Sequence, residues 1–324
     1  MKLRYTLVVK IFFNQQCKKI AYRRCLLIEK KLINYIFTSF QKWKPNRIKM
    51  NTVFEIMPSS YDPEKCVLIC EVSNEGFSYC IRNEDEKSYL GVAIYHFDST
   101  KPAVGFPIAL QVLFHQHDIF SKKFKKVCVG FSVPQSVLIP FSMYDRDKNQ
   151  TLMNLMFGDL ETNDVILTDI ISQQSLYNTY RLSAATVEMI KNQFPDATMT
   201  HQYSLILKSF AGDTDCISVI FYTQKVVVHV FSGGKHLLLN SFDFTTANDI
   251  SFILLNICKQ LKIKKIHLVL SGLVEENSAL YNEIYKYFDD IEFASFRQEY
   301  SYSEEIAKFP SHYFSHIFDI DSCE

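Results

Sequence analysis

Few residue groupings in this chain could do chemistry, and each has a spacing that weighs against it. Gly233-Gly234-Lys235 carries the residues with which a phosphate-binding loop ends, but the full GxxxxGK[ST] spacing is absent. His236 stands where Ser or Thr would hold Mg²⁺, and Ser232-Gly233-Gly234 between two apolar runs reads as a hairpin turn. His312 and His316 lie four apart, a spacing that on a helix turns both imidazoles toward one metal ion. No acid or third histidine completes a ligand set, so the pair is expected to pack among its aromatic neighbours. His115 and His117, two apart, would point to different faces. Lys122-Lys123-Phe124-Lys125-Lys126 could meet phosphate groups, yet it reads as a solvated loop ahead of an apolar strand. Val129-Gly130-Phe131-Ser132-Val133-Pro134 lacks the second glycine of a nucleophile elbow. The expectation is no catalytic residue and no metal.

Composition narrows the class. The 324 residues are 48% hydrophobic and 22% charged, ordinary for one large or two modest domains. The net charge of zero is unevenly spread. Of 35 bases and 35 acids, thirteen bases and one acid fall in residues 1–49, leaving 22 and 34 in the rest, a balance of −12. An acidic body argues against a nucleic-acid groove. Nine cysteines are scattered without a CxxC pair, and Cys66 and Cys70 lie roughly 13 Å apart along a strand. They read as free thiols in a reducing, cytoplasmic setting. Residues 1–49 contain no stretch of about 20 apolar residues that could span a membrane and no signal-peptide pattern. This basic leader is expected to lie outside the fold. It reads either as an amphipathic segment on an anionic membrane or as sequence preceding a start at Met50.

The elements that would position any site follow a repeating order. Cys66–Glu71, Phe77–Ile81 and Ser88–Tyr95 read as three strands joined by the turns Asn74-Glu75-Gly76 and Asn83-Glu84-Asp85. Asn51–Pro63 reads as a lead-in. A helix over Phe106–His117 and a buried strand over Val127–Phe131 follow, with Leu110, Leu113 and Phe114 on one helical face. The chain to Ile171 reads as an insertion of strand (Val137–Phe141), helix (Thr151–Phe157) and strand (Val165–Ile170). A connector holds helices at Ala184–Phe194 and Tyr203–Phe210. A second unit repeats the order: strands at Cys216–Phe221, Lys225–Phe231 and His236–Phe242, then a helix with Ile250, Leu254 and Ile257 on one face. Strand His267–Leu270, helix Ser278–Phe288 and strand Ile291–Phe296 complete it, and a last helix over Glu304–Ile317 closes the chain. The fold class is α/β, a duplicated βββαβαβ in two lobes with mixed five-stranded sheets. Expected boundaries are a leader at 1–49, a first lobe with insertion and connector at 50–211, and a second lobe at 212–324, the last helix packing back on the first lobe.

That duplicated order resembles the actin-like ATPase superfamily with its ribonuclease-H-like lobes. Within it the chain is similar to a family of uncharacterised bacterial proteins. The landmarks are Phe131-Ser132-Val133-Pro134 with Val137-Leu138-Ile139-Pro140, Tyr180-Arg181-Leu182 with Phe194-Pro195, and Pro310-Ser311-His312-Tyr313-Phe314 with Cys323-Glu324. The resemblance spans residues 51–324. It implies ATP and Mg²⁺ between the lobes, held by two phosphate hairpins and an adenosine loop. On that mapping Glu71 replaces the metal-organising Asp of the first hairpin, and Val72 fills a glycine slot where a side chain impedes approach to phosphate. Glu71 and Glu75 would face a polyphosphate with like charge. The second hairpin, Phe221-Tyr222-Thr223, has neither acid nor glycine, and Ser271-Gly272-Leu273 keeps one of two adenosine-loop glycines. Phosphoryl transfer rests on positioning and metal electrostatics, so these losses imply a non-catalytic actin-like protein without cofactor that holds a protein or small ligand near the cleft. The alternative is a divergent ATPase in which Glu71, Ser73, Asn74, Gly76, Thr223, Ser271 and Gly272 line a nucleotide site.

Overall fold

The computed structural model describes residues 49–98, 102–159, 163–210, 212 and 214–322. The leader expected over residues 1–49 lies outside these, apart from Lys49. The first sheet begins with β1 (Lys49–Ile56), β2 (Cys66–Ser73), β3 (Gly76–Asn83) and β4 (Ser88–Asp98). Helix α1 (Pro102–Gln116) then leads to β5 (Lys126–Ser132). An insertion carries β6 (Ser136–Pro140), α2 (Asn149–Phe157), β7 (Asp164–Ile171) and β8 (Leu176–Ser183). Next come α3 (Ala184–Gln193), β9 (Thr198–His201) and α4 (Gln202–Ser209). The second sheet is built from β10 (Cys216–Phe221), β11 (Lys225–Ser232) and β12 (Lys235–Asp243), followed by α5 (Ala247–Leu261), β13 (His267–Gly272), α6 (Ala279–Tyr285) and β14 (Ile291–Phe293). The chain ends in β15 (Ser301–Tyr302), α7 (Glu304–Ala307) and α8 (Ser315–Phe318).

Both sheets have one strand order. The second runs β12-β11-β10-β13-β14, and the first runs β4-β3-β2-β5-β9 with β1 and β15 added along the outer edge of β4. In each, three antiparallel strands are followed by two parallel ones, β2 with β5 and β10 with β13. The duplicated α/β architecture with mixed sheets is therefore present. The first sheet has seven strands rather than five. Asn51–Pro63 is not a plain lead-in: β1 pairs antiparallel with β4 from Lys49↔Asp98 to Ile56↔Val92.

Central strands are apolar because both faces are covered. Every residue of β2 is buried. One face of the first sheet packs Val67, Ile69, Cys80 and Val92 against Phe314, Ile317, Phe318 and Ile320 of the C-terminal segment. On the opposite face Phe77 stands edge-on to Phe114 and Phe120, at 5.5 and 5.6 Å between ring centroids. The second core joins Ile217, Val219, Val226 and Val228 to Ile250, Leu254 and Ile257 of α5. Thr246 and Asp249 cap that helix reciprocally, a box that satisfies two orphan N–H groups.

The insertion and the closing helix also differ from the sequence reading. The insertion is a three-stranded sheet in the order β6-β8-β7, with β8 as the added middle strand. The single closing helix expected over Glu304–Ile317 is broken at Pro310 into α7, a short 3-10 turn at Ser311–Tyr313 and α8. Among the described residues, no helix is long and apolar enough to cross a membrane.

Candidate functional site

The two sheets meet where β2 and β10 end. The register of β2 puts Glu71 on the face of Val67 and Ile69, toward the C-terminal segment, and its side chain is only 3% exposed. β10 ends at Phe221, so Tyr222 opens the turn into β11, its N–H donating to the Lys225 carbonyl at 2.8 Å. The Tyr222 hydroxyl donates to Glu71 Oε1. Gln202, the first residue of α4, donates from Nε2 to the same oxygen at 3.2 Å and also contacts the phenol. Ser132, at the end of β5, donates to Gln202 Oε1 at 2.7 Å. Lys225 donates to the Ser132 carbonyl and hydroxyl at 3.1 and 2.9 Å, and its Nζ stands 4.6 Å from the centre of the Tyr222 ring. His316 of α8 closes the group, with Nε2 3.9 Å from Glu71 Oε2 and its ring edge-on to Tyr222.

Burial governs the charge of this cluster. It pushes the Glu71 carboxyl above its usual value, against the pull of the Tyr222 hydrogen bond and the Lys225 charge. It raises the Tyr222 phenol, and the Glu71 charge adds to that. Burial lowers Lys225 while Glu71, Glu75 and Asp243 hold it up. His316 is depressed to about 3 by burial and then by Lys225, so its imidazole is neutral at ordinary pH. Among the described residues, buried His316 Nδ1 has no hydrogen-bond partner. Chemically this is a plug. The carboxylate accepts hydrogen bonds from its own chain, and the Ser132 hydroxyl, which accepts from Lys225, gives its own proton to Gln202 Oε1.

The residues expected to line a nucleotide are only partly brought together. Glu71, Ser73, Gly76 and Thr223 share a cavity of about 40 Å³ with Tyr222 and Leu273, room for no more than a few waters. Asn74 faces two other cavities. Ser271 and Gly272 are paired in register with Ile220 and Phe221. Gly272 has φ +82°, and a Cβ there would fall 2.2 Å from the Phe221 carbonyl oxygen. Leu273 N–H donates to that same oxygen at 2.8 Å, so close approach to the neighbouring parallel strand accounts for this glycine. Ser73 Oγ accepts from Glu75 and Gly76 N–H at 3.2 and 3.1 Å, which builds the first hairpin turn.

His312 and His316 each pack against aromatic rings, Phe293 and Tyr222 respectively, but the break at Pro310 puts them on separate elements rather than on one helix face. His312 lies in the 3-10 turn and donates from Nε2 to the Val274 carbonyl at 2.7 Å, while His316 faces Glu71 and Tyr222. Among the described residues, no three His, Cys, Asp or Glu side chains converge as a metal would need. Gln202 and Lys225 were not singled out by the sequence; Tyr222 and Ser132 appeared there only inside the second hairpin and a family landmark, and His316 only as one of a histidine pair. Lys225 left a trace as the lone charge heading the apolar run Val226–Val228.

Beside the plug lies a larger cavity of about 490 Å³, bounded by Asn74 and Glu75 of the first hairpin, Ser132, Gln224, Lys225 and Asp243. It falls in the size range of small-ligand sites.

Residues 59–291 match the family described as protein of unknown function (DUF3822). Among solved structures, a Bacteroides thetaiotaomicron protein with an actin-like ATPase fold and unknown function superposes with a TM-score of 0.61 at 20% identity, covering 72% of this chain and 91% of that one. The cytoplasmic domain of EpsL, an inner membrane component of the type II secretion system of Vibrio cholerae, gives 0.46 at 9% identity over 80% and 95%. The PilM-PilN type IV pilus biogenesis complex gives 0.48 at 9% identity over 80% and 98%. No curated protein matches the sequence. The Bacteroides likeness shows the fold: two ribonuclease-H-like lobes of actin-like type.

Proposed function

The chain belongs to the DUF3822 family, and from that premise and its fold we propose a non-catalytic actin-like binding module whose nucleotide cleft is closed from within. One observation carries this reading: the Tyr222 phenol rests on the Glu71 carboxylate, at the position where the actin-like resemblance puts the metal-organising acid. A Mg²⁺-bound triphosphate needs that carboxylate free, open space beside it and backbone that can close on phosphate. Here the carboxylate is engaged and the space is about 40 Å³.

The cavity of about 490 Å³ is the place for a ligand, either a small molecule or a short segment of a protein partner. Glu75 and Asp243 lie on its wall, and the Lys225 ammonium is drawn back onto Ser132. Two carboxylates favour an occupant with a positive group and oppose a bare triphosphate. The divergent-ATPase alternative draws less support, because four of its seven residues face the small cavity and Gly272 is accounted for by packing.

Gln224→Trp tests the reading by filling the large cavity from an exposed position. Thermal-shift screening against cationic metabolites and short basic peptides should give compounds that stabilise the natural chain and not the variant. Compounds that stabilise both equally would place binding elsewhere and overturn it.

A further inference from the structure

On the other side of the first hairpin, between the first sheet and the insertion, lies a separate cavity of about 220 Å³ walled by Val72, Asn74, Phe106, Gln135, Arg181 and Thr186. Arg181 sits on β8, the middle strand of the insertion, and is 5% exposed. Its guanidinium donates to the Gly158 carbonyl at 3.2 and 3.1 Å and to Asn154 Oδ1 at 3.0 Å. Its Nε–H is buried without an acceptor among the described residues. A guanidinium stays charged at any working pH, and among the described residues no carboxylate pairs with it directly, an arrangement that burial disfavours. The Gly158 carbonyl and the Asn154 amide give it hydrogen bonds but no negative charge.

We propose that this cavity binds a small, singly charged carboxylate whose oxygens face Arg181. With both terminal nitrogens engaged, a carboxylate oxygen can accept from the open Nε–H and brings a negative charge that neither present partner supplies. Asp164 lines the same cavity and stands opposite Ser183, two residues along from Arg181. Diagonal neighbours of this kind lie roughly 7–8 Å apart. One acid already this near penalises phosphates and other multiply charged anions. Val72, Phe106 and Leu182 offer an apolar wall for the body of the ligand. This inference stands apart from the reading of the inter-lobe cleft.

The experiment is a calorimetric titration of the full chain at constant ionic strength with acetate, propionate, glycine and inorganic phosphate. Saturable binding of at least one carboxylate, tighter than phosphate, is expected. Arg181→Gln should weaken it at least tenfold, and Gln135→Trp, which blocks the cavity and leaves the guanidinium in place, should do the same. Circular dichroism confirms that each variant is folded. No saturable carboxylate binding, equal binding by either folded variant, or phosphate binding tighter than every carboxylate overturns the proposal.

Discussion

Tyr222 is the residue on which the closed cleft turns. Removing its hydroxyl leaves a buried carboxylate one donor short, an omission that costs about 1–3 kcal/mol. Tyr222→Phe should therefore lower stability by that amount in urea unfolding, and an unchanged midpoint would show that the hydrogen bond to Glu71 is not made in solution. His201 gives the pH signature. Its Nδ1 accepts from Tyr203 N–H at 3.0 Å and its Nε2 donates to the Val133 carbonyl at 2.9 Å, which fixes a neutral tautomer. Burial depresses it to about 3. Because the unfolded imidazole titrates near 6.5, the unfolded chain binds the extra proton between pH 6.5 and 3. Stability from this group is present above 6.5 and lost as pH falls through that window. His201→Asn keeps a capping acceptor and does not titrate. Relative to that variant, the natural chain should lose roughly 3 kcal/mol between pH 7 and pH 4, read from urea midpoints at each pH.

The C-terminal segment works as an element of the first lobe although it follows the second in sequence. Phe318 is 1% exposed, with its ring 4.2 Å from that of Tyr89. Phe318→Ala should cost about 3–5 kcal/mol, as a cavity under the first sheet, and a loss under 1 kcal/mol would show the segment is not part of that core. Elements of this sort also mark how far the sequence could be read. Strands β2 to β5 and β10 to β14, α5 and the connector helix over Ala184–Gln193 were legible because their apolar periods are strong and their turns carry Asn, Gly and Asp. The strand Thr198–His201 was not: three polar residues and a lone Met199 give no period, and only pairing with β5 makes them a strand. β8 was hidden in the same way, since Asn178, Thr179 and Arg181 are buried by a polar network that no hydrophobic pattern announces. Glu71 was legible as a site position. Gln202 and His316 were not, because they come from segments 131 and 245 residues away in the chain.

At the level of the whole molecule, two lobes that in an actin-like enzyme would close on a nucleotide are here joined by their own side chains. Glu71 with Tyr222, Ser132 with Lys225 and Tyr203 with Ser241 each link the first lobe or its connector to the second. The most direct measurement is a calorimetric titration of Mg-ATP into the natural full-length chain. No saturable heat up to millimolar nucleotide is predicted, since the carboxylate is engaged and the space beside it is filled. A one-to-one isotherm with a sub-millimolar Kd, lost in Glu71→Gln, would contradict the closed cleft.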